Sequence, residues 1–150
     1  MTIQHIIACD PGAKGGFAVF KLDGSDGPEF IGAYKTQDWR DLVNDEYPNA
    51  IGIFEANHGI ARQSAGTSYT QGYNTGNDHR LLELLCDKVI KVIPQKWMRI
   101  LGVPVGMEKD ARKHWIQDKA QKIVNMELPL WASDAVAIGL SYIKETKNNE

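Results

Sequence analysis

Ile3-Gln4-His5-Ile6-Ile7-Ala8-Cys9-Asp10-Pro11-Gly12-Ala13-Lys14-Gly15-Gly16 is the stretch that decides the architecture. An apolar run of this length, closed by Pro and Gly, reads as a buried strand over about residues 4–9. Asp10 stands at its end, facing a tight turn. Asp-Pro-Gly is ordinary turn chemistry, so Asp10 has a plain explanation as a turn cap. The other explanation is functional, since protein cores rarely keep an unpaired carboxylate. Outward from here, residues 16–22 form a second strand, and the short connection predicts an antiparallel hairpin. Asp23-Gly24-Ser25-Asp26-Gly27-Pro28 is a turn, and a third strand covers about residues 30–35. Thr36 is placed to cap a short helix through Asp38, Trp39, Leu42 and Val43. Ala50–Glu55 is the fourth strand, brought back beside the first by that helical crossover.

Residues 57–80 are rich in Gly, Ser, Thr, Asn and Gln and read as flexible at first and helical later. Residues 78–86 are a convincing helix. If it begins early, Tyr69, Tyr73 and Leu84 share one face, available for packing or for stacking on an unpaired base. Residues 89–94 make the fifth strand, and residues 95–102 a short helix ended by Gly102. Lys109–Val124 is an amphipathic helix with Ala111, Trp115, Ala120 and Ile123 near one side. The last helix begins near Ala132, and residues 144–150 are polar enough to fray. The result is an α/β chain with a five-stranded mixed sheet.

The fourth strand repeats the construction of the first: a β-rich apolar run ends in Glu55, before a polar loop. A third acid, Asp134, lies in the first turn expected for the last helix, where the helix dipole favours it even without function. Ala135, Ala137 and Gly139 leave little bulk around it, so this helix can pack closely on the sheet. Neighbouring carboxylates repel and call for a counter-ion. All-oxygen ligands suit Mg²⁺ or Mn²⁺. Two such ions about 3.5–4 Å apart can clamp the attacking and leaving oxygens of a phosphodiester.

The chain of 150 residues is expected to form one domain over residues 1–150. Cys9 and Cys86 read as buried free thiols of a reducing compartment, with a disulfide as the alternative. No signal peptide or membrane-spanning run is visible, which predicts a cytoplasmic protein without membrane association. The net charge of −2 hides an uneven distribution. Residues 1–87 carry 6 Lys/Arg against 12 Asp/Glu, whereas residues 88–122 carry 9 against 3. The second block is either a solvated helix face or the footprint of a phosphate-backbone binder.

With acids closing strands one and four and opening the last helix, the chain resembles the ribonuclease H-like fold. More narrowly, it resembles the RuvC family of Holliday junction resolvases, particularly the small phage versions. The matching residues are Ile6-Ile7-Ala8-Cys9-Asp10-Pro11-Gly12, Gly52-Ile53-Phe54-Glu55, Pro94-Gln95-Lys96-Trp97 with Leu101-Gly102, the Lys109/Lys113 helix, and Ser133-Asp134-Ala135-Val136-Ala137-Ile138. The resemblance implies three antiparallel strands followed by parallel ones, flanked by helices. It implies that Asp10, Glu55 and Asp134 hold Mg²⁺, two ions per site and replaceable by Mn²⁺, with Lys109 or Lys113 near the scissile phosphate. It further implies a homodimer that nicks two strands of a four-way DNA junction symmetrically, with no small-molecule cofactor. The residues expected to meet nucleic acid are Lys14, Arg62, Tyr69, Tyr73, Lys96, Arg99, Lys109, Arg112 and Lys113. The loop and helix after Glu55 are expected to join the dimer interface and reach into the junction.

One departure stands out. The family places a fourth acid or a His three or four residues before the final Asp, where this chain has Trp131 and Leu130. Glu127 is the nearest upstream acid, seven residues away. A two-ion site with three carboxylates and more water is the preferred account. Competing readings are a ribonuclease H-like nuclease for other branched DNA or RNA, and a catalytically weakened nucleic-acid-binding module. Actin-like ATPases also open with Asp-x-Gly and a Gly-rich hairpin, but they need two such domains.

Overall fold

The computed structural model describes residues 2–56 and 65–150; for residue 65 and residues 67–71 it describes the backbone alone. Five strands, β1 (His5–Asp10), β2 (Gly16–Lys21), β3 (Glu29–Lys35), β4 (Ala50–Glu55) and β5 (Lys88–Val92), form one sheet. Its order is β3-β2-β1-β4-β5. The first three strands pair antiparallel, and β4 and β5 add parallel to β1 and to each other. The helices are α1 (Trp39–Leu42), α2 (Ala65–Leu85), α3 (Pro94–Leu101), α4 (Lys109–Val124) and α5 (Leu130–Asn148). The mixed sheet expected from the sequence is therefore present.

The β1 run is apolar on consecutive positions because both faces of this central strand are covered. Ile6 and Ala8 join Ala18, Phe20, Ile51 and Ile53 in a core closed by Trp97, Ile116, Val136 and Ile138 of α3, α4 and α5. Ile7 and Cys9 point the other way, with Phe17, Val19 and Phe54, beneath Leu42 of α1 and Leu82 of α2. Fully burying each large aliphatic or aromatic side chain contributes about 1.5–3 kcal/mol. The small residues of α5 let it lie close on the sheet, and a Cβ at Gly139 would collide with the Phe20 ring.

Several sequence expectations need correction. Strand ends shift by one or two residues, and β1 includes Asp10 itself. Thr36 caps no helix: residues 36–38 form a 3-10 turn without a side-chain cap, and Thr36 is buried. The buried face of α4 is Ile116 and Ala120, one helical turn apart. Ala111 is exposed because it lies off that stripe, whereas Ile123 continues the stripe and is exposed at the C-terminal end of the helix. Helix α5 starts at Leu130, after Pro129 in an extended conformation, so Asp134 belongs to its second turn. The same helix runs through Asn148, and the Thr146 hydroxyl donates to Tyr142 O in its last turns. Residues 144–148 are thus helical rather than frayed. Cys86 lies one residue beyond α2, and both cysteines are free, Cys9 buried and Cys86 partly so. Among the described residues no helix is long and apolar enough to cross a membrane.

Candidate active site

The parallel register of β1 and β4 runs from His5↔Ala50 to Cys9↔Phe54. Asp10 and Glu55 are the next residues along these two adjacent strands. Strand alternation puts them on the same face as Ile6, Ala8, Ile51 and Ile53, which is the face covered by α5. Helix α5 buries Ala132, Ser133, Ala135 and Val136 against that face and carries Asp134 between them. Two strand ends and one helix thus direct three carboxylates toward one end of the sheet.

The electrostatics record this meeting. Asp10 is held well above the usual carboxylate range, first by burial and then by the negative charges of Asp134 and Glu55, with Lys113 opposing. Asp134 is also raised by burial, and Lys113 and Arg112 draw it back. Glu55 is 7% exposed and accepts a hydrogen bond from Trp97 Nε1 at 2.5 Å. The Cys9 thiol is pushed up by burial and then by Asp78, Asp10 and Glu55, so it stays a protonated, inert core group.

A fourth acid was missed in the sequence. Asp78 of α2 is buried, and its Oδ2 accepts the Gly12 N–H at 3.0 Å. Burial raises it to about 6, while the Gly12 hydrogen bond opposes the shift. Gly12 is held at both polar groups, since its carbonyl accepts Thr36 Oγ1 at 2.5 Å and Gly15 N at 3.0 Å. Its φ of +115° is a conformation that favours glycine. The turn after Asp10 is therefore tied to α2 on one side and to residue 36 on the other. One signal was available: Asp78 lies one turn before the core residue Leu82, on the buried stripe of its helix. Trp97, quoted only as part of a matching motif, proves to orient Glu55.

Trp131 occupies the position one turn before Asp134. A Cβ on Gly16 would lie 3.1 Å from its ring, and Gly16 pairs with Asp10 across the hairpin. The Lys35 ammonium sits 5.7 Å from its ring centroid. An aromatic ring thus fills the side of the site where a further acid was expected.

The basic candidates separate. Lys113 and Arg112 act on the carboxylates. Lys109 opens α4 and is exposed, as are Lys14 in the hairpin turn and Arg99 on α3. Lys96 is 3.3 Å from Glu145, eleven residues down α5 from Asp134, or about 16 Å along a helix. Tyr73 is 62% exposed on α2. Arg62 and the side chain of Tyr69 lie outside the described residues.

The donor set fits a hard cation: oxygens from three elements whose mutual repulsion a positive ion would relieve. Among the described residues, however, no three His, Cys, Asp or Glu side chains stand close enough together to ligate one ion as they are.

No protein-family model and no curated protein matches the chain. Solved structures do. The structure of RuvC from Thermus thermophilus is similar at 14% identity and a TM-score of 0.63, covering 97% of this chain and 96% of that one. T. thermophilus RuvC in complex with Holliday junction substrate is similar at 12% identity and a TM-score of 0.65, covering 96% of each chain. The chain thus has the RuvC fold over nearly its whole length.

Proposed function

We propose that this protein is a divalent-metal-dependent endonuclease that, as a homodimer, resolves four-way DNA junctions by paired symmetric nicks. The feature that carries the proposal is the placement of Asp10 and Glu55 at the ends of adjacent strands, on the face that α5 covers and from which it presents Asp134. The RuvC fold supports the choice of substrate, since one of the similar structures holds a Holliday junction. A cytoplasmic site of action fits the two free thiols.

Asp10, Glu55 and Asp134 are the residues that would hold Mg²⁺ or Mn²⁺, two ions per site. Bound there, such ions supply charge neutralisation at a phosphate and lower the pKa of water. The chain's own groups do the rest. Lys113 and Arg112 attract the phosphodiester and oppose the charge that grows on it in the transition state. The Trp97 indole fixes the Glu55 carboxylate in one orientation. The hydrogen bonds on Gly12 hold the turn that follows Asp10. Exposed Lys109, Arg99 and Lys14 add positive charge for the duplex arms.

The test uses a synthetic four-way junction, a linear duplex and an RNA–DNA hybrid, each with wild type and Asp10→Asn over a series of Mg²⁺ and Mn²⁺ concentrations. Wild type should nick the junction in symmetric pairs and Asp10→Asn should not. A junction left intact at every metal concentration overturns the proposal. Cutting of the hybrid in preference to the junction assigns the same site a different substrate.

A further inference from the structure

Behind the Asp10 turn, on the α2 side of the sheet, a cleft of about 540 Å³ separates α2 from residues 36–39. We propose that this cleft receives one unpaired base of the DNA strand whose phosphate lies at the carboxylates. The proposal relies on the nuclease reading only for how the strand arrives.

The lining matches a nucleobase. Gln37, Asn74 and Asn77 bring three side-chain amides to the cleft. Each amide both donates and accepts, which is what the mixed edge of a base requires. Trp39 lines the cleft as well, and the Arg40 guanidinium lies over its ring at 4.7 Å. A base stacked on this indole joins a layered cation, ring and base arrangement. Leu81 supplies an apolar wall.

Other occupants fit less well. A phosphate would meet the Asp78 carboxylate, the Gly12 N–H is already given to Asp78, and the Arg80 guanidinium of the lining is shared with Glu83 at 3.5 Å. An apolar partner would bury three amides without hydrogen bonds, at about 1–3 kcal/mol for each polar group left unsatisfied. A neutral, flat, polar-edged ring avoids both penalties.

The position also suits a strand at the site. Gly12 lines the cleft and is two residues from Asp10, so their Cα atoms lie within about 7.6 Å. That separation is about two stacked nucleotide steps of one strand. The hydrogen bond between Asp78 and Gly12 links the wall of the cleft to the turn of the catalytic acid.

The experiment measures binding by fluorescence anisotropy with Asp10→Asn protein, which retains the cleft without cutting. The probes are a four-way junction with one unpaired adenine at the branch, the same junction with an abasic residue there, and the two corresponding single strands. The abasic probe should bind about tenfold more weakly, the scale of one base stacked on an aromatic side chain. Trp39→Ala and the exposed-site variant Asn77→Leu should erase this difference, whereas Lys113→Ala should weaken both probes alike. Equal affinity for adenine and abasic probes overturns the proposal. So does a base preference that survives in Asn77→Leu while that variant changes the sedimentation of the protein, which would make the cleft a contact between copies. A base preference on single strands in a protein that never cuts junctions upholds the cleft and removes the resolvase reading.

Discussion

Asp134 and Asp78 are both helical acids that approach the end of β1, one from each face of the sheet. Asp78 is buried and Asp134 half-buried, and both are raised above the usual carboxylate range. Their partners differ. Asp134 faces the cations Lys113 and Arg112 and acts on Asp10, so its charge belongs to a field shared with a substrate phosphate or an ion. Asp78 is engaged with the Gly12 N–H, a fixed part of the protein. The contrast separates a ligand from a support: desolvation is common to both, and the identity of the partner decides the role.

The contrast breaks most sharply at Asp134. In Asp134→Asn, cleavage of a four-way junction at saturating Mg²⁺ should fall on the order of a thousandfold, the scale of removing a principal electrostatic element from an active site. The thermal midpoint without metal should rise or hold, because the mutation removes repulsion with Asp10. A variant that cuts within tenfold of wild type would take Asp134 out of the site.

Asp78 should give a smaller loss with a different signature. Asp78→Asn keeps an oxygen for the Gly12 N–H and should lower cleavage about tenfold to a hundredfold, as for a group that orients a ligand. Asp78→Ala strands that N–H and should also cost about 1–3 kcal/mol of stability in chemical denaturation. If the alanine and asparagine variants match in both measurements, the hydrogen bond does not position the turn.

The legibility of these two acids differed for a physical reason. Asp134 sits among small residues, Ala135, Ala137 and Gly139, and so marks a helix that must pack closely. Asp10 and Glu55 end apolar runs, and the period-two pattern carries their placement directly. The parallel return of β4 was readable from the crossover between them. Asp78 lies instead in the polar sequence Asn74-Thr75-Gly76-Asn77-Asp78-His79, where composition points to solvent. Its spacing from Leu82 marks the buried face of α2, but local pattern does not encode the contact between residues 12 and 78 that gives it a partner. Helix α5 begins two residues before Ala132 because Pro129 sets the extended residue ahead of Leu130. The cleft beside Trp39 was invisible for the same reason as Asp78: it is formed by segments nearly forty residues apart.

A pH series sharpens the comparison further. Asp78 has an unfolded value of about 3.9 and a folded value of about 6. The folded protein therefore keeps this proton at pH values where the unfolded chain has lost it. The stabilisation from Asp78 is complete below about pH 4 and disappears as pH rises through about 6. Asp10 and Asp134, also raised, add to the same trend. Without metal, thermal midpoints should drop across this window, and Asp78→Asn should make the drop shallower. Added Mg²⁺ should oppose the trend, because a cation favours the ionised carboxylates. A metal-free midpoint that is flat from pH 4 to 6 would contradict the upward shift of all three acids.

The smallest effect is expected at Trp131, which decides how complete the α5 side of the site is. Its ring packs on Gly16 and carries Lys35, a half-exposed cation–π contact of about 0.5–2 kcal/mol. In Trp131→Asp a carboxylate would stand one turn before Asp134 on the same helical face. That variant gives up the packing but adds an oxygen donor beside the hairpin that holds Asp10. The Mn²⁺ concentration giving half-maximal cleavage should fall by less than the tenfold to hundredfold typical of a strong supporting interaction. Trp131→Ala, with the same loss of packing and no donor, should leave the Mn²⁺ midpoint where it is in wild type. If both variants shift the midpoint equally, the ring acts through packing alone, and the space it fills is not a place from which a metal can be held. If only the aspartate variant shifts it, the wild-type site works with three acids where a fourth can be accommodated, and the support from Asp78 lies behind the turn rather than in place of that fourth ligand.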